Sequence, residues 1–176
     1  MLKKPLVAAI LCVIIVLSAT VINVHVRLDP RCTEISEGFT EPGGIADQLS
    51  AVCTASSGFA KLAEKYGVDE YSTFNVNDIA TSLRIAVGYT KASGLADLYR
   101  MLIAGTDDLR TSLRLKDLSG EDAKLYAEFE AEYLAAQSAI ADSSYNSTVS
   151  SYLRELGSFS CFVAKVCGVD LPEQFA

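Results

Sequence analysis

The residues of this chain that could do acid–base, nucleophilic or metal chemistry are few, and their spacing works against each of those roles. His25 is the single histidine. A Ser-His-Asp or Cys-His relay would have to use it. A zinc site built on imidazole needs a second histidine, and a di-iron bundle needs two Glu-x-x-His pairs. Standing at the end of an apolar stretch, His25 reads as an interfacial side chain. Glu128, Glu130 and Glu132 alternate, so on a helix neighbours point about 200° apart and form no carboxylate cluster. Asp107-Asp108 reads as a solvated loop pair without the other ligands of a calcium loop. No glycine-rich phosphate loop follows a strand pattern. Asn146-Ser-Thr matches a glycosylation acceptor but falls within a helical pattern. These residues predict no catalytic, cofactor-binding or metal site, and a protein that is not an enzyme.

Cys32, Cys53, Cys161 and Cys167 are the cysteines beyond the first apolar stretch, which holds Cys12. They contain no Cys-x-x-Cys pair, which disfavours zinc. In an exported protein they are candidate disulfide cysteines, with three connectivities open. Cys161 and Cys167 would lie about 120° and roughly 9 Å apart on one helix, too far to bridge each other. The alternative is buried free thiols behaving as small hydrophobes.

The element that must position everything else is Pro5–Val26, PLVAAILCVIIVLSATVINVHV, which carries no Asp, Glu, Lys or Arg. About twenty apolar residues at roughly 1.5 Å each cross the hydrocarbon of a bilayer. Lys3 and Lys4 precede it, which favours a cytoplasmic N-terminus and an exported remainder. A cleaved signal peptide begins the same way, but its apolar region runs only about 7 to 15 residues before a small-x-small site. Here the run is longer, and cutting after Ala19 would put Leu17 where a small residue is wanted. The expectation is a retained single-pass anchor over residues 1–26. Net charge is −7, and leaving out the two leading lysines makes it −9 beyond them. That opposes nucleic acid as a partner and suits basic ones.

Residues 27–44, RLDPRCTEISEGFTEPGG, hold two prolines and three glycines. They read as a juxtamembrane linker with one short helical turn at 33–38. Residues 45–176 read as an all-α ectodomain, an antiparallel bundle of three to four helices. Ile45, Leu49, Val52, Ser56, Phe59, Ala63 and Tyr66 make the first stripe, closed by Gly67. A second helix starts at an Asn75 or Asn77 cap, with a break or kink expected near Gly88–Gly94, and ends at Gly105-Thr106-Asp107. Leu109–Leu118 reads as a connector. Ser119 with Asp122 then approximates a capping box opening one long helix to Gly157, striped by Leu125, Phe129, Tyr133, Ala136, Ile140, Tyr145, Val149 and Tyr152. Ser158–Val169 is too short to span a membrane. Carrying only Lys165, it is expected to cap the bundle end rather than lie on a lipid surface.

Tyr145-Asn146, Val149, Tyr152, Phe159, Ala164, Val166, Gly168 and the closing Phe175 resemble the last segment of the LemA family. Ile45–Lys61 and Leu98–Arg110 are similar to the family's first ectodomain helix and central stretch. The family's Trp-bearing helix after the anchor has no counterpart in a chain without Trp. The resemblance implies a membrane-anchored helical bundle of the cell envelope with no established enzymatic activity. The expected role is interaction with a protein partner or with further copies, besides membrane lipid through the anchor. An accessory subunit or enzyme of envelope or protease-associated processes is the alternative. Tyr71, Phe74, Tyr99 and Phe162 lie outside the stripes as candidate contact residues.

Overall fold

The computed structural model describes residues 3–89 and 92–175, with side chains from residue 7 onward. The side chains of Lys3 and Lys4, on which the expected orientation rests, therefore lie outside the described residues. Six helices follow one another among those residues: α1 (Lys3–Thr40), α2 (Ile45–Lys65), α3 (Glu70–Ala86), α4 (Ala92–Arg114), α5 (Gly120–Ala141) and α6 (Tyr145–Val166). No strand occurs among them. The chain divides into two compact units, Met1–Glu37 with Ser147–Pro172, and Gly38–Asn146 with Glu173–Ala176.

In the first unit, α1 begins with a segment long and apolar enough to cross a membrane, none of it buried inside the protein. The helix does not stop at Val26. Residues 27–40 are helical through Pro30, which corrects the expected irregular linker. The reason is a stripe hidden among the prolines and charges. Val24, Leu28, Cys32 and Ile35 recur at helical spacing and pack with Tyr152, Ala164, Val169 and Leu171. Tertiary burial of an apolar face outweighs weak local propensity. The true break falls at 41–44, where the Gly44 N–H donates to the Glu41 carbonyl at 2.8 Å. A Cβ at Gly44 would sit 2.8 Å from that oxygen and 2.9 Å from the Phe39 carbonyl, so only glycine fits this turn.

In the second unit, α2 packs on α3, α4 and α5. Its stripe is as expected: Ile45, Leu49, Val52, Phe59 and Ala63 are buried, and Gly67 follows in left-handed conformation at φ 62°. Ser56, within that stripe, is fully buried and accepts a hydrogen bond from Thr106 Oγ1 at 2.9 Å, pairing two hydroxyls that would otherwise be stranded.

Two expected boundaries move. The cap of α3 is Asp69, whose carboxylate accepts from the Ser72 N–H at 2.9 Å, and not Asn75 or Asn77. Of the break or kink expected near 88–94 the structure has the break, since α3 ends at Ala86 and α4 begins at Ala92. Gly105-Thr106-Asp107 does not end α4, which runs on to Arg114 and absorbs most of the expected connector. Leu102, Thr106, Leu109 and Leu113 keep one buried face through that stretch. Gly105 serves close packing, because a Cβ there would lie 2.9 Å from Val76 Cγ2.

Ser119 caps α5 as expected, its hydroxyl accepting from the Asp122 N–H at 3.3 Å. The long helix expected beyond it is interrupted at 142–144, where the apolar stripe changes step. Leu125 faces outward and Tyr126 takes its place in the core. Gly157 breaks α6 into two helical pieces at φ 73°, ψ 158°, a conformation only glycine takes without strain.

Candidate interaction surface

Two networks hold the inward-turned charged side chains of the second unit. Asp122, nearly inaccessible, accepts from Lys65 Nζ at 2.8 and 2.9 Å, from Tyr66 Oη at 2.6 Å and from Ser119 Oγ at 2.6 Å. The Lys65 ammonium, with the two hydroxyls, holds its carboxyl down at about 2. Asp122 therefore stabilises the fold fully above its unfolded value near 3.9, and that contribution disappears as pH falls toward 2. In acid titrations of unfolding, Asp122→Asn is expected to be less stable than the parent at neutral pH. Its deficit should shrink between pH 4 and 2; an unchanged deficit across that window would refute this role.

A second network centres on Arg110, whose guanidinium donates to Asp107 at 2.7 Å and Glu130 at 2.6 Å. Glu130 also accepts from Arg114 at 2.5 Å. Arg110 Nε is buried without a hydrogen-bond partner. The guanidinium instead lies over the rings of Tyr133 and Phe59, at 5.0 and 5.9 Å from their centroids. Asp107 is thus helical and paired rather than part of a solvated loop. Of the three alternating glutamates only Glu130 turns inward, as the helical angle requires.

Tyr145, Asn146 and Phe175, three of the residues that carry the family resemblance, meet. Asn146 Oδ1 accepts from the Phe175 N–H at 2.7 Å, and its amide donates back to the Phe175 carbonyl. Tyr145 Oη donates to the Glu173 carbonyl at 3.0 Å. Phe39 packs against both rings, edge-on to Tyr145 at 5.4 Å and tilted to Phe175 at 5.9 Å. Tyr99 packs on Phe175 at 5.4 Å, so it is a packing residue and not the exposed contact expected. Asn146→Ala strands both backbone groups of Phe175, at a cost of about 1–3 kcal/mol. The readout is faster amide exchange confined to residues 173–175, and unchanged exchange there would refute the lock. Nothing in sequence separation marked this meeting, since the bonded residues are 29 apart.

The candidate cysteines are all free thiols here. Cys53 lies in the second unit, fully buried, and burial pushes its thiol up to about 11. Cys32, Cys161 and Cys167 belong to the first unit. Cys32 is buried 3.4 Å from Tyr152 Oη, and burial raises its thiol too. Both stay protonated and unreactive near neutral pH. His25 is half-buried and donates from Nε2 to the Cys167 carbonyl at 2.8 Å, a role not legible in its position beside the span.

What the second unit offers outward is a groove of about 400 Å³ where α2 meets α3, lined by Glu64, Gly67, Val68, Glu70, Thr73, Phe74 and Asn77. Tyr71 and Phe74 stand beside it at 77% and 69% exposure, one helical turn apart. Two carboxylates and an exposed aromatic can receive a lysine or arginine stem, with its charge toward the glutamates and its methylenes along the ring. No group of three or more metal-binding side chains exists among the described residues. No family model, curated protein or solved structure matches this chain.

Proposed function

We propose that this chain is a LemA-like single-pass membrane protein whose exported helices form an antiparallel bundle and act by binding a protein partner through a basic segment. Short connections between α2 and α5 favour antiparallel neighbours. The two lysines ahead of the span favour a cytoplasmic N-terminus and an extracytoplasmic bundle. Support for the family-level part comes from the meeting of Tyr145, Asn146 and Phe175. The observation that carries the binding role is the exposed Tyr71–Phe74 pair beside the carboxylates of Glu64 and Glu70. The buried ionic groups, by contrast, pair with one another within the fold. The acidic surface gives steering toward basic partners and makes the encounter salt-sensitive.

The test places a photo-crosslinking side chain at Phe74 of the full chain in its native membrane. A discrete adduct is expected, weakened by added salt and by Glu64→Gln with Glu70→Gln. The reference position is Leu115, more open still at 84% exposure. Adducts no stronger at Phe74 than at Leu115 would sink the reading. Topology is checked separately by labelling Tyr89→Cys, 91% exposed, with an impermeant maleimide in intact cells; labelling only after lysis would reverse the orientation.

A further inference from the structure

The second piece of α6, after Gly157, has two faces. Ala164 is fully buried against α1 with Val169 close behind. Phe159, Phe162 and Val166, spaced three and four apart, stand 79%, 64% and 71% exposed along the opposite side. The expected role for this piece was to cap the bundle; its first face packs instead on α1 within the first unit, and its second face is bare. Two phenylalanines and a valine on one helical stripe form a patch rather than scattered exposed residues.

The place of this stripe along α1 says what covers it. The His25–Cys167 hydrogen bond brings the end of α6 level with the last residues of the apolar span. At the other end, Tyr152 Oη, on the piece of α6 before Gly157, lies 3.4 Å from Cys32 Sγ. From Tyr152 to Cys167 the chain thus passes from the level of Cys32 back to that of His25, so α6 runs alongside α1 in the opposite direction. Val166 then lies at the level of Val26, itself 68% exposed. Phe162 and Phe159 stand about 6 and 10 Å farther along. The headgroup layer on each side of the hydrocarbon is roughly 5–7 Å deep, and spanning helices tilt by about 20° on average. The stripe therefore continues the apolar surface of the anchor into the membrane interface, where phenylalanine rings are well accommodated.

We propose that Phe159, Phe162 and Val166 form a second membrane contact, seating the end of α6 in the headgroup layer beside the anchor. The proposal rests on the reading of α1 as a membrane span. With Lys165 the only cation among residues 158–169, the contact is driven by apolar burial and does not require anionic lipid.

The absence of Trp from the chain gives a direct test. Single substitutions Phe162→Trp and Ile14→Trp are made in the full chain, which is reconstituted in phosphatidylcholine vesicles with and without bromines on the acyl chains. Ile14→Trp is expected to lose most of its emission to bromines near the bilayer centre. Phe162→Trp should lose most of its emission to bromines placed near the headgroups, and less to deep ones. If Ile14→Trp is quenched and Phe162→Trp is not, the second contact is overturned and the anchor stands. If Phe162→Trp is blue-shifted but unquenched, a protein surface covers the stripe, and the proposal fails in favour of a second copy. If neither is quenched, the anchor reading and the proposal fall together. Adding anionic lipid should leave the Phe162→Trp quenching unchanged; quenching that appears only with anionic lipid would overturn the apolar mechanism.

Discussion

Replacing Phe59 by alanine is expected to cost about 3–5 kcal/mol of stability, the range for deleting a buried phenyl ring whose site cannot collapse. Phe59 is completely inaccessible and meets Tyr126, Phe129 and Tyr133 edge-on at 5.3, 6.0 and 6.0 Å. Collapse is obstructed on several sides. The Phe129 ring already lies where a Cβ on Gly58 would be, at 2.7 Å. Tyr133 is held by its hydroxyl at 3.3 Å from Asp107 and 3.4 Å from the Ile103 carbonyl. The cavity would also remove one of the two rings beneath the Arg110 guanidinium. For a unit of this size each kcal/mol is worth roughly 4 °C, so melting should fall by about 12–20 °C. Near-UV dichroism of the full chain in detergent is the measurement. Phe59→Leu should recover more than half of the loss. Phe74→Ala, at an exposed site, should stay within about 0.5 kcal/mol. If Phe59→Ala melts within a few degrees of the parent, the aromatic cluster is not the centre of this unit.

That cluster shows how much of the fold was legible in the sequence. The stripe of α2 was readable because its apolar residues keep strict helical spacing and Gly67 ends them. The cap at Ser119 was readable because its partner lies three residues away. Local features of this kind depend on neighbours the sequence displays. The continuation of α1 through residues 27–40 was obscured, because Pro30 and the glycines at 38 and 43–44 outweigh a four-residue stripe in any local reading. Val24, Leu28, Cys32 and Ile35 were there to be counted, and their burial against Tyr152 and Ala164 is what keeps the helix going. The end of α4 was misplaced for the opposite reason. Gly105-Thr106-Asp107 looks like a stop, yet the glycine admits Val76 and the threonine pairs with Ser56. Both reasons lie on other helices.

The same division holds for the surface. Tyr71, Phe74 and Phe162 could be singled out as lying off the stripes, and all three are exposed. Tyr99 could not be separated from them, since its partner Phe175 is near the other end of the chain. The groove beside Phe74 draws Glu64 from one helix and Glu70 from the next. Six residues apart across Gly67, they show no helical pairing in sequence. Of the candidate site, the aromatic half was legible and the acidic half was not.

The ionic network around Arg110 should carry the second large effect, and its size separates a buried ion pair from a surface one. Arg110 has a side chain only 12% exposed, and Glu130 one of 24%. Removing one partner of such a pair leaves a poorly hydrated charge, which costs about 3–5 kcal/mol when burial is complete. Arg110 and Glu130 keep some solvent, and each has a second partner in Asp107 or Arg114, so about 2–3 kcal/mol is expected for Arg110→Ala. Arg110→Lys keeps the charge but loses the planar fork that reaches two carboxylates while lying over Tyr133, and should still cost about 1–2 kcal/mol. The decisive measurement is a double-mutant cycle of Arg110→Ala with Glu130→Ala by chemical unfolding in detergent. A coupling above about 1 kcal/mol is expected, against at most about 0.5 kcal/mol for the exposed Asp97–Arg100 pair. That reference pair has the same kind of contact, at 2.8 Å, but exposures of 62% and 77%. Equal coupling in the two pairs would mean that solvent screens Arg110 as fully as it does Arg100. The rings of Tyr133 and Phe59 would then shelter no charge.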